Sequence, residues 1–261
     1  SDTITTHFEY HSMEANILKL DMLGHDDPTM VRMMQDLTGV DPHEIPLDDP
    51  DTMSIFISSK VLGYENDPIL GPTGAVAIPE FNTRFTRQML IDTQPKDFNT
   101  LVRLSGFSHG TDVWLGNAQD LIKNGICDIS HVVGTRDGIM LDHIRYGVDK
   151  NLSFKIMEMV RKNKKGKPIP EEMVAAMREK EVPEWYIDSL RKIKYMFPKA
   201  HAAAYVMSAI RLGWYKVHQP VAFYCAILTV APEGFDATVV ARGRRAVVDT
   251  CLLYTSPSPR D

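Results

Sequence analysis

The run Lys194-Tyr-Met-Phe-Pro-Lys-Ala-His-Ala-Ala-Ala-Tyr205, continuing through Val206-Met-Ser-Ala-Ile-Arg-Leu-Gly-Trp-Tyr-Lys-Val-His218, limits the fold more than any other part of the chain. It predicts a long helix over 199–217. Pro198 suits the first turn, where a missing N–H costs nothing, and the free amides that follow carry the positive end of the helix dipole. Such an end binds phosphate, and Lys199 and His201 add donors beside it. His201, Tyr205, Ser208 and Leu212 follow at spacings of four, three and four, which places a ring, a phenol and a hydroxyl on one face. The alanines keep that face low and leave room for a flat ligand. The alternative reading is an amphipathic helix with a capped start that buries the same face in a core.

The rest of the chain also reads mostly as helix. Asp27-Pro28 and Asp49-Pro50 each read as an N-cap followed by proline at the first helical position, starting helices near 28–37 and 50–57. Further helices are expected at about 81–92, 97–104, 116–124, 137–146, 151–163, 170–180, 184–196 and 219–230, and Gly63 to Gly74 reads as a loop. The clearest strand is Ile17-Leu-Lys-Leu-Asp-Met22, where Leu18, Leu20 and Met22 alternate with Lys19 and Asp21. The expected fold class is therefore mainly α, preceded by a short β segment.

Length and composition bound the possibilities. A chain of 261 residues that is 44% hydrophobic buries a real core as one large domain or two small ones. Its longest apolar runs fall short of the roughly 20 residues that span a bilayer, and the polar start lacks the basic and apolar regions of a signal peptide. Cys127, Cys225 and Cys251 have no close spacing, so neither a zinc site nor a disulfide framework is indicated, and a reducing cytoplasm is expected. No His-x-His or His-Glu-x-x-His pattern supports a metallohydrolase. The net charge of −5 hides an asymmetry: residues 1–100 carry 6 basic and 17 acidic groups, whereas residues 151–218 carry 14 basic and 7 acidic ones. A basic surface on an acidic chain is the footprint of a polyanion site, while the acidic half fits a metal-carrying or merely solvated surface.

Four separated blocks carry a family resemblance. The segment Tyr195 to Tyr205 resembles the Phe-Asn-Lys-Ser-His-Ser-Ala-Ala-Tyr motif in the fingers of bacterial C-family replicative DNA polymerases, in the form typical of the PolC type. Leu18-Lys-Leu-Asp-Met-Leu-Gly-His-Asp-Asp-Pro-Thr29, Ile78-Pro-Glu-Phe-Asn-Thr-Arg-Phe-Thr-Arg-Gln-Met-Leu90 and Leu104-Ser-Gly-Phe-Ser-His-Gly-Thr-Asp-Val-Trp-Leu-Gly-Asn117 occur in the family's order. The resemblance extends to about Thr250 and implies the end of the palm at 1–26, fingers at 27–235 and the start of a following region at 236–250. The last stretch, 251–261, looks like a translated sequencing adapter, which would make the sequence a truncated gene fragment. It also implies template-directed DNA synthesis in a bacterial, nucleoid-associated cytoplasmic enzyme that uses Mg2+. Partners would be primer-template DNA and deoxynucleoside triphosphates, with a sliding clamp and other replisome subunits reached through regions outside this sequence. The competing reading from another class is a catalytically silent helical module that binds nucleic acid.

The resemblance assigns roles residue by residue. Asp21 matches the third catalytic, metal-holding carboxylate, while the Asp-x-Asp pair that precedes it in the family is absent; Asp49-Pro-Asp51 has that spacing but reads as a helix start. Lys199, His201 and Tyr205 would meet the nucleotide. Arg84 and Arg87 share a helix face with Gln88, while Phe81, Phe85 and Met89 turn toward the core; the pair either grips a phosphate or forms an exposed face partnered by Glu80 or Asp92. Ser105-Gly-Phe-Ser-His-Gly-Thr111 reads as a tight turn with Ser108 and His109 at its apex, near the nascent base pair by resemblance or purely structural. Adjacent residues on a turn do not face each other, so Ser108 and His109 do not make a hydrolase pair. Arg161, Lys162, Lys164, Lys165 and Lys167 form a basic run that is a solvated loop or, in fingers, a DNA contact, and Arg136 is a weaker candidate of the same kind for the nucleotide.

Overall fold

The computed structural model describes residues 4–18, 20, 22, 24–65, 67–163, 166–231 and 236–255, the last five through their backbone alone. Fourteen α-helices occur among them, together with short 3-10 turns at Pro42–Glu44 and Lys60–Leu62. The helices are α1 (Tyr10–Met13), α2 (Asp27–Thr38), α3 (Pro50–Ser54), α4 (Arg84–Thr93), α5 (Phe98–His109), α6 (Gln119–Lys123) and α7 (Arg136–Arg145). They continue with α8 (Lys150–Arg161), α9 (Glu171–Glu179), α10 (Glu184–Lys192), α11 (Lys199–His218), α12 (Pro220–Val230), α13 (Ala237–Val240) and α14 (Arg244–Thr255). None of the described helices is long and apolar enough to cross a membrane.

The long helix expected from the sequence, α11, is the hub, packing against α2, α3, α5, α7 and α12. Its buried residues Ala202, Val206, Ala209 and Gly213 recur at helical spacing, so the first half buries a single stripe. Ile210, Leu212, Tyr215 and Lys216 extend burial around the second half. Leu212 is thus core rather than part of the ligand face that His201 and Tyr205 begin. At Gly213 a Cβ would sit 3.0 Å from Ile55 Cδ1, which shows how closely α3 approaches.

Local chemistry sets most helix ends. The side chains of Asp49, Thr83, Asp97, Thr135 and Asp149 each accept a hydrogen bond from a first-turn amide of the helix they precede. Gly39 ends α2 in the left-handed conformation at φ 72°. Asp49-Pro-Asp51 is a helix start, as its sequence suggests.

Several expectations need correction. No strand forms among the described residues, only isolated bridges at Asp67–Gly71 and Thr111–Tyr195. Lys19 and Asp21 lie outside the described residues. Leu18, Leu20 and Met22 are 82%, 70% and 88% exposed, so the alternating apolar face is not buried against the described residues. Asp26, not Asp27, occupies the N-cap position of α2, with no side-chain cap. α3 ends at Ser54, short of the expected 57. α4 begins at Arg84 rather than 81 because Thr83 caps it, which leaves Phe81 buried ahead of the helix and Phe85 40% exposed on it. α5 runs on to His109, so Ser105 to His109 are helical and not a turn. Between Trp114 and Ala118, Leu115 and Gly116 leave helical geometry, and α6 starts only at Gln119.

Candidate functional site

The start of α11 is held from three sides before any ligand arrives. Thr111 N donates to Tyr195 O at 3.0 Å and Lys194 N donates back to Thr111 O at 3.1 Å, tying the approach to the end of α5. Met196 N donates to Arg161 O at 3.1 Å, at the end of α8, and Arg136 N donates to Phe197 O at 3.0 Å, at the start of α7. Gly110 makes the first contact possible, since a Cβ there would lie 2.4 Å from Val113 Cγ2 and 3.1 Å from Tyr195 O. Pro198 occupies the N-cap position of α11, and the amide of Lys199 donates to Asp137 Oδ2 at 2.7 Å. A carboxylate therefore already complements the positive end of this helix.

Five rings form a row across this start. His109 stacks on Phe197 at 4.6 Å and 23°, Phe197 meets His201 edge-on at 4.8 Å, and His201 stacks on Tyr205 at 4.4 Å and 30°. Tyr205 meets His25 at 5.0 Å, and its hydroxyl shares a hydrogen bond with His25 Nε2. His201 is exposed while Phe197 and Tyr205 are half-buried, so the row presents aromatic faces and edges to a flat ligand.

A hydrogen-bonded pair anchors the His109 end of the row. His109 Nε2 donates to Glu80 Oε2 at 2.7 Å, and Ser105 Oγ donates to the same oxygen at 2.8 Å. Burial opposes the charge on Glu80, but the hydrogen bond and charge of His109, with Ser105, outweigh it and hold the carboxyl below its ordinary value. The hydrogen bond to Glu80 in turn raises the His109 pKa against the opposing effect of burial. His109 should therefore titrate with a midpoint above its ordinary 6.5 in an NMR pH series, and the shift should vanish in Glu80→Gln. By linkage, the stabilisation from His109 is fully present below the unfolded pKa and is lost as pH rises through the folded one. The Glu80 contribution is present above its own unfolded value and is lost as pH falls through the carboxylate range.

The other predicted site residues divide. Lys199 lines a cavity of 450 Å³ with Asn99, Thr100, Arg103, Thr135 and Arg145, and has no ion-pair partner among the described residues. Arg103 is tied to Val132 O at 2.7 Å and Arg145 to Asp142 at 3.2 Å. Ser108 sits in α5 with its hydroxyl donating to Ser105 O at 2.9 Å. Arg136 acts electrostatically on Glu158, which is bound by both Nε and Nη2 of Arg161, so these two arginines flank the approach to α11. Lys162 is exposed at the end of α8. The Lys167 amide donates to Asn163 Oδ1 at 2.8 Å while Asn163 Nδ2 donates to Lys167 O at 2.8 Å, closing the basic loop; Lys164 and Lys165 lie outside the described residues.

Arg84 and Arg87 face a different cavity. Arg87 lies close enough to Lys216 to depress its pKa, and Lys216 is 17 residues along α11 from Lys199, about 25 Å at the α-helical rise. Neither Glu80 nor Asp92 pairs with these arginines: Glu80 binds His109, while Asp92 accepts from Gln88 and Gln119 at 2.9 Å each. Sequence reasoning omitted Glu80, Phe197, His25 and Asp137 from the site. Phe197 stands inside the motif and was open to selection. Asp137 and His25 meet α11, and Glu80 meets His109 on α5, through long-range contacts that no local spacing encodes.

Residues 27–181 match the family model described as the bacterial DNA polymerase III alpha subunit finger domain. The chain is 54% identical over 247 residues to the DNA polymerase III PolC-type of Staphylococcus epidermidis, a match that covers 95% of this chain and 17% of that protein. The same identity and coverage hold for the DNA polymerase III PolC-type of Staphylococcus aureus.

Proposed function

Because the chain belongs to the bacterial DNA polymerase III alpha subunits of the PolC type, we propose that it serves as fingers in template-directed DNA synthesis and that the start of α11 receives the incoming deoxynucleotide. The observation that carries this reading is the ring row His109-Phe197-His201-Tyr205 beginning at a helix start pinned by three neighbouring elements. Prior immobilisation lets binding proceed without ordering the chain at that moment. Lys199 and the first-turn amides of α11 supply the phosphate contact, and an incoming phosphate competes with Asp137 for the Lys199 amide. Arg136 and Arg161 add positive charge at the approach, with Arg161 exchanging part of its contact with Glu158 for a backbone phosphate of primer-template DNA. His109 is the end ring of the row, where its hydrogen bond to Glu80 fixes the stacked face, and Ser108 precedes it on the same helix.

In the full polymerase a primer 3′ hydroxyl would displace pyrophosphate from the nucleotide, with Mg2+ supplying charge stabilisation and Asp21 as one of its ligands. Asp21 lies outside the described residues, and no group of three metal-ligating side chains comes together among those described, so they do not by themselves form such a centre. The clamp and the other replisome subunits are assigned to parts of the polymerase beyond this chain, and the cellular setting to the bacterial cytoplasm.

Tyr205 tests the reading at the ligand's other end. It lies one turn beyond His201 and its hydroxyl is oriented by His25. In a full-length polymerase carrying this chain, Tyr205→Ala should alter discrimination against ribonucleotides and mispairs more than nucleotide affinity. A variant with unchanged discrimination would remove Tyr205 from the site.

A further inference from the structure

The segment 74–82 carries two left-handed residues that are not glycine, Ala77 at φ 63° and Glu80 at φ 69°. Such backbone is strained for any residue with a Cβ, so the surrounding fold must hold both in place. Burial supplies part of the hold: Ala75, Ile78 and Phe81 are at most 1% exposed. The amide of Gly74 donates to Ile55 O at 2.7 Å, and the amide of Ala77 donates to Asn82 Oδ1 at 2.7 Å. The side chain that this backbone presents is Glu80, bound to His109 and Ser105 on α5.

The remaining hold is a buried cation. Lys216, 2% exposed near the end of α11, donates from Nζ to Gly74 O at 2.7 Å and to Val76 O at 2.6 Å, and the ring of Phe223 lies 5.9 Å from the same Nζ. Its hydrogen bonds go to backbone carbonyls and not to a carboxylate. Burial, with Arg87 nearby, lowers its pKa to about 8, so the charge is kept at neutral pH against a cost. An apolar side chain of similar length would fill the space without that cost. What a lysine adds is a pair of donors aimed at the two carbonyls that precede Ala77.

We infer that Lys216 is a positioning residue for the nucleotide site: it holds the left-handed segment in the form that presents Glu80 to His109, and so sets the ring row at the opposite end of α11. Contact runs from Lys216 to Val76, along the chain to Glu80, across to His109, and from there to Phe197 and His201. A strained backbone and a buried charge in one short segment are both accounted for by the carboxylate it carries. The inference rests on the nucleotide reading of the start of α11.

The test uses Lys216→Met, Asn82→Ala and Glu80→Gln in a full-length polymerase carrying this chain. Asn82 is exposed, and its removal loosens the same segment from the other side, so Asn82→Ala decides the matter if Lys216→Met fails to fold. Selectively labelled histidine follows the His109 titration, whose midpoint should fall toward 6.5 in Lys216→Met and Asn82→Ala as it does in Glu80→Gln. Nucleotide KM should rise about tenfold in Lys216→Met, and less in Asn82→Ala, with kcat little changed. A merely structural loss would instead lower the folded fraction, and with it kcat, at constant KM. Lys216→Met added to Glu80→Gln should raise KM no further, because both act through one contact. An unchanged His109 midpoint in the variants that fold would overturn the inference. So would additive rises in KM, or an unchanged KM in both segment variants while Lys199→Ala raises it, a result that leaves the nucleotide reading standing. An unchanged KM in Lys199→Ala as well would bring down that reading and this inference together.

Discussion

Gly106→Ala should destabilise the chain by about 3 kcal/mol, although alanine is the better helix former by about 1 kcal/mol. Gly106 lies inside α5, so local propensity alone favours the substitution. Packing reverses the sign. A Cβ at Gly106 would lie 2.1 Å from the carbonyl oxygen of Gly134 and 3.0 Å from Thr135 Cγ2. Real Cβ atoms do not approach so closely, and the obstacle is backbone, which cannot rotate away as a side chain does. α5 would have to separate from the segment that leads into α7, and Thr135 caps α7 while Arg136 holds Phe197. The damage should therefore pass from the core to the start of α11. Gly138→Ala is the control: its Cβ would meet only Thr135 Oγ1, at 3.5 Å, so stability should stay level or rise by up to about 1 kcal/mol. Denaturant unfolding of the two variants reads the difference directly, and equal midpoints would show that α5 and the Gly134 segment do not touch in this way.

The contrast at Gly106 also shows which part of the fold the sequence discloses. In Ser105-Gly-Phe-Ser-His the glycine reads as a breaker, and the predicted helix stops at 104. The helix in fact continues to His109, and the glycine is there because another backbone crosses it. A crossing partner 28 residues away leaves no trace in local spacing. Ile17 to Met22 alternate as a strand does, yet among the described residues no strand forms and Leu18, Leu20 and Met22 are exposed, because alternation alone supplies neither a pairing partner nor a surface to pack on. By contrast, α11 was legible almost to the residue, because Pro198 fixes its start and the buried positions repeat at helical period. At α4 the error was one of boundary: Thr83 bonds to the Thr86 amide, and taking this cap as the start would have put Phe81 ahead of the helix and Phe85 on its exposed side.

The site divides along the same line. Lys199, His201 and Tyr205 share one helix, where the start at Pro198 and the spacing of His201 and Tyr205 place them, while their nucleotide role rests on the family resemblance. Glu80 was one of two partners offered for the arginines if they formed an exposed face, yet it binds His109, 29 residues on, from a backbone at φ 69° that no local pattern announces. Arg84 and Arg87 had the residue types of a phosphate grip, but that they line a cavity other than the one lined by Lys199 became visible only in the folded chain.

The central claim is that the start of α11 grips the incoming nucleotide through its phosphates. Lys199 is exposed, carries a side chain without an ion-pair partner among the described residues, and stands at a helix start whose amide already binds a carboxylate. Removing its ammonium should cost a charge-assisted contact of about 1.5–3 kcal/mol, or about a ten- to hundredfold loss of nucleotide affinity. Little stability should be lost with it, because the side chain contributes nothing to the core. The direct measurement is the nucleotide KM and kcat of Lys199→Ala in a full-length polymerase, determined separately for all four deoxynucleotides. The account predicts a rise in KM of that size, equal for the four, because phosphates carry no base identity. An unchanged KM and turnover would contradict it and reduce α11 to core packing, and a loss confined to one template base would place Lys199 on the base rather than on phosphate.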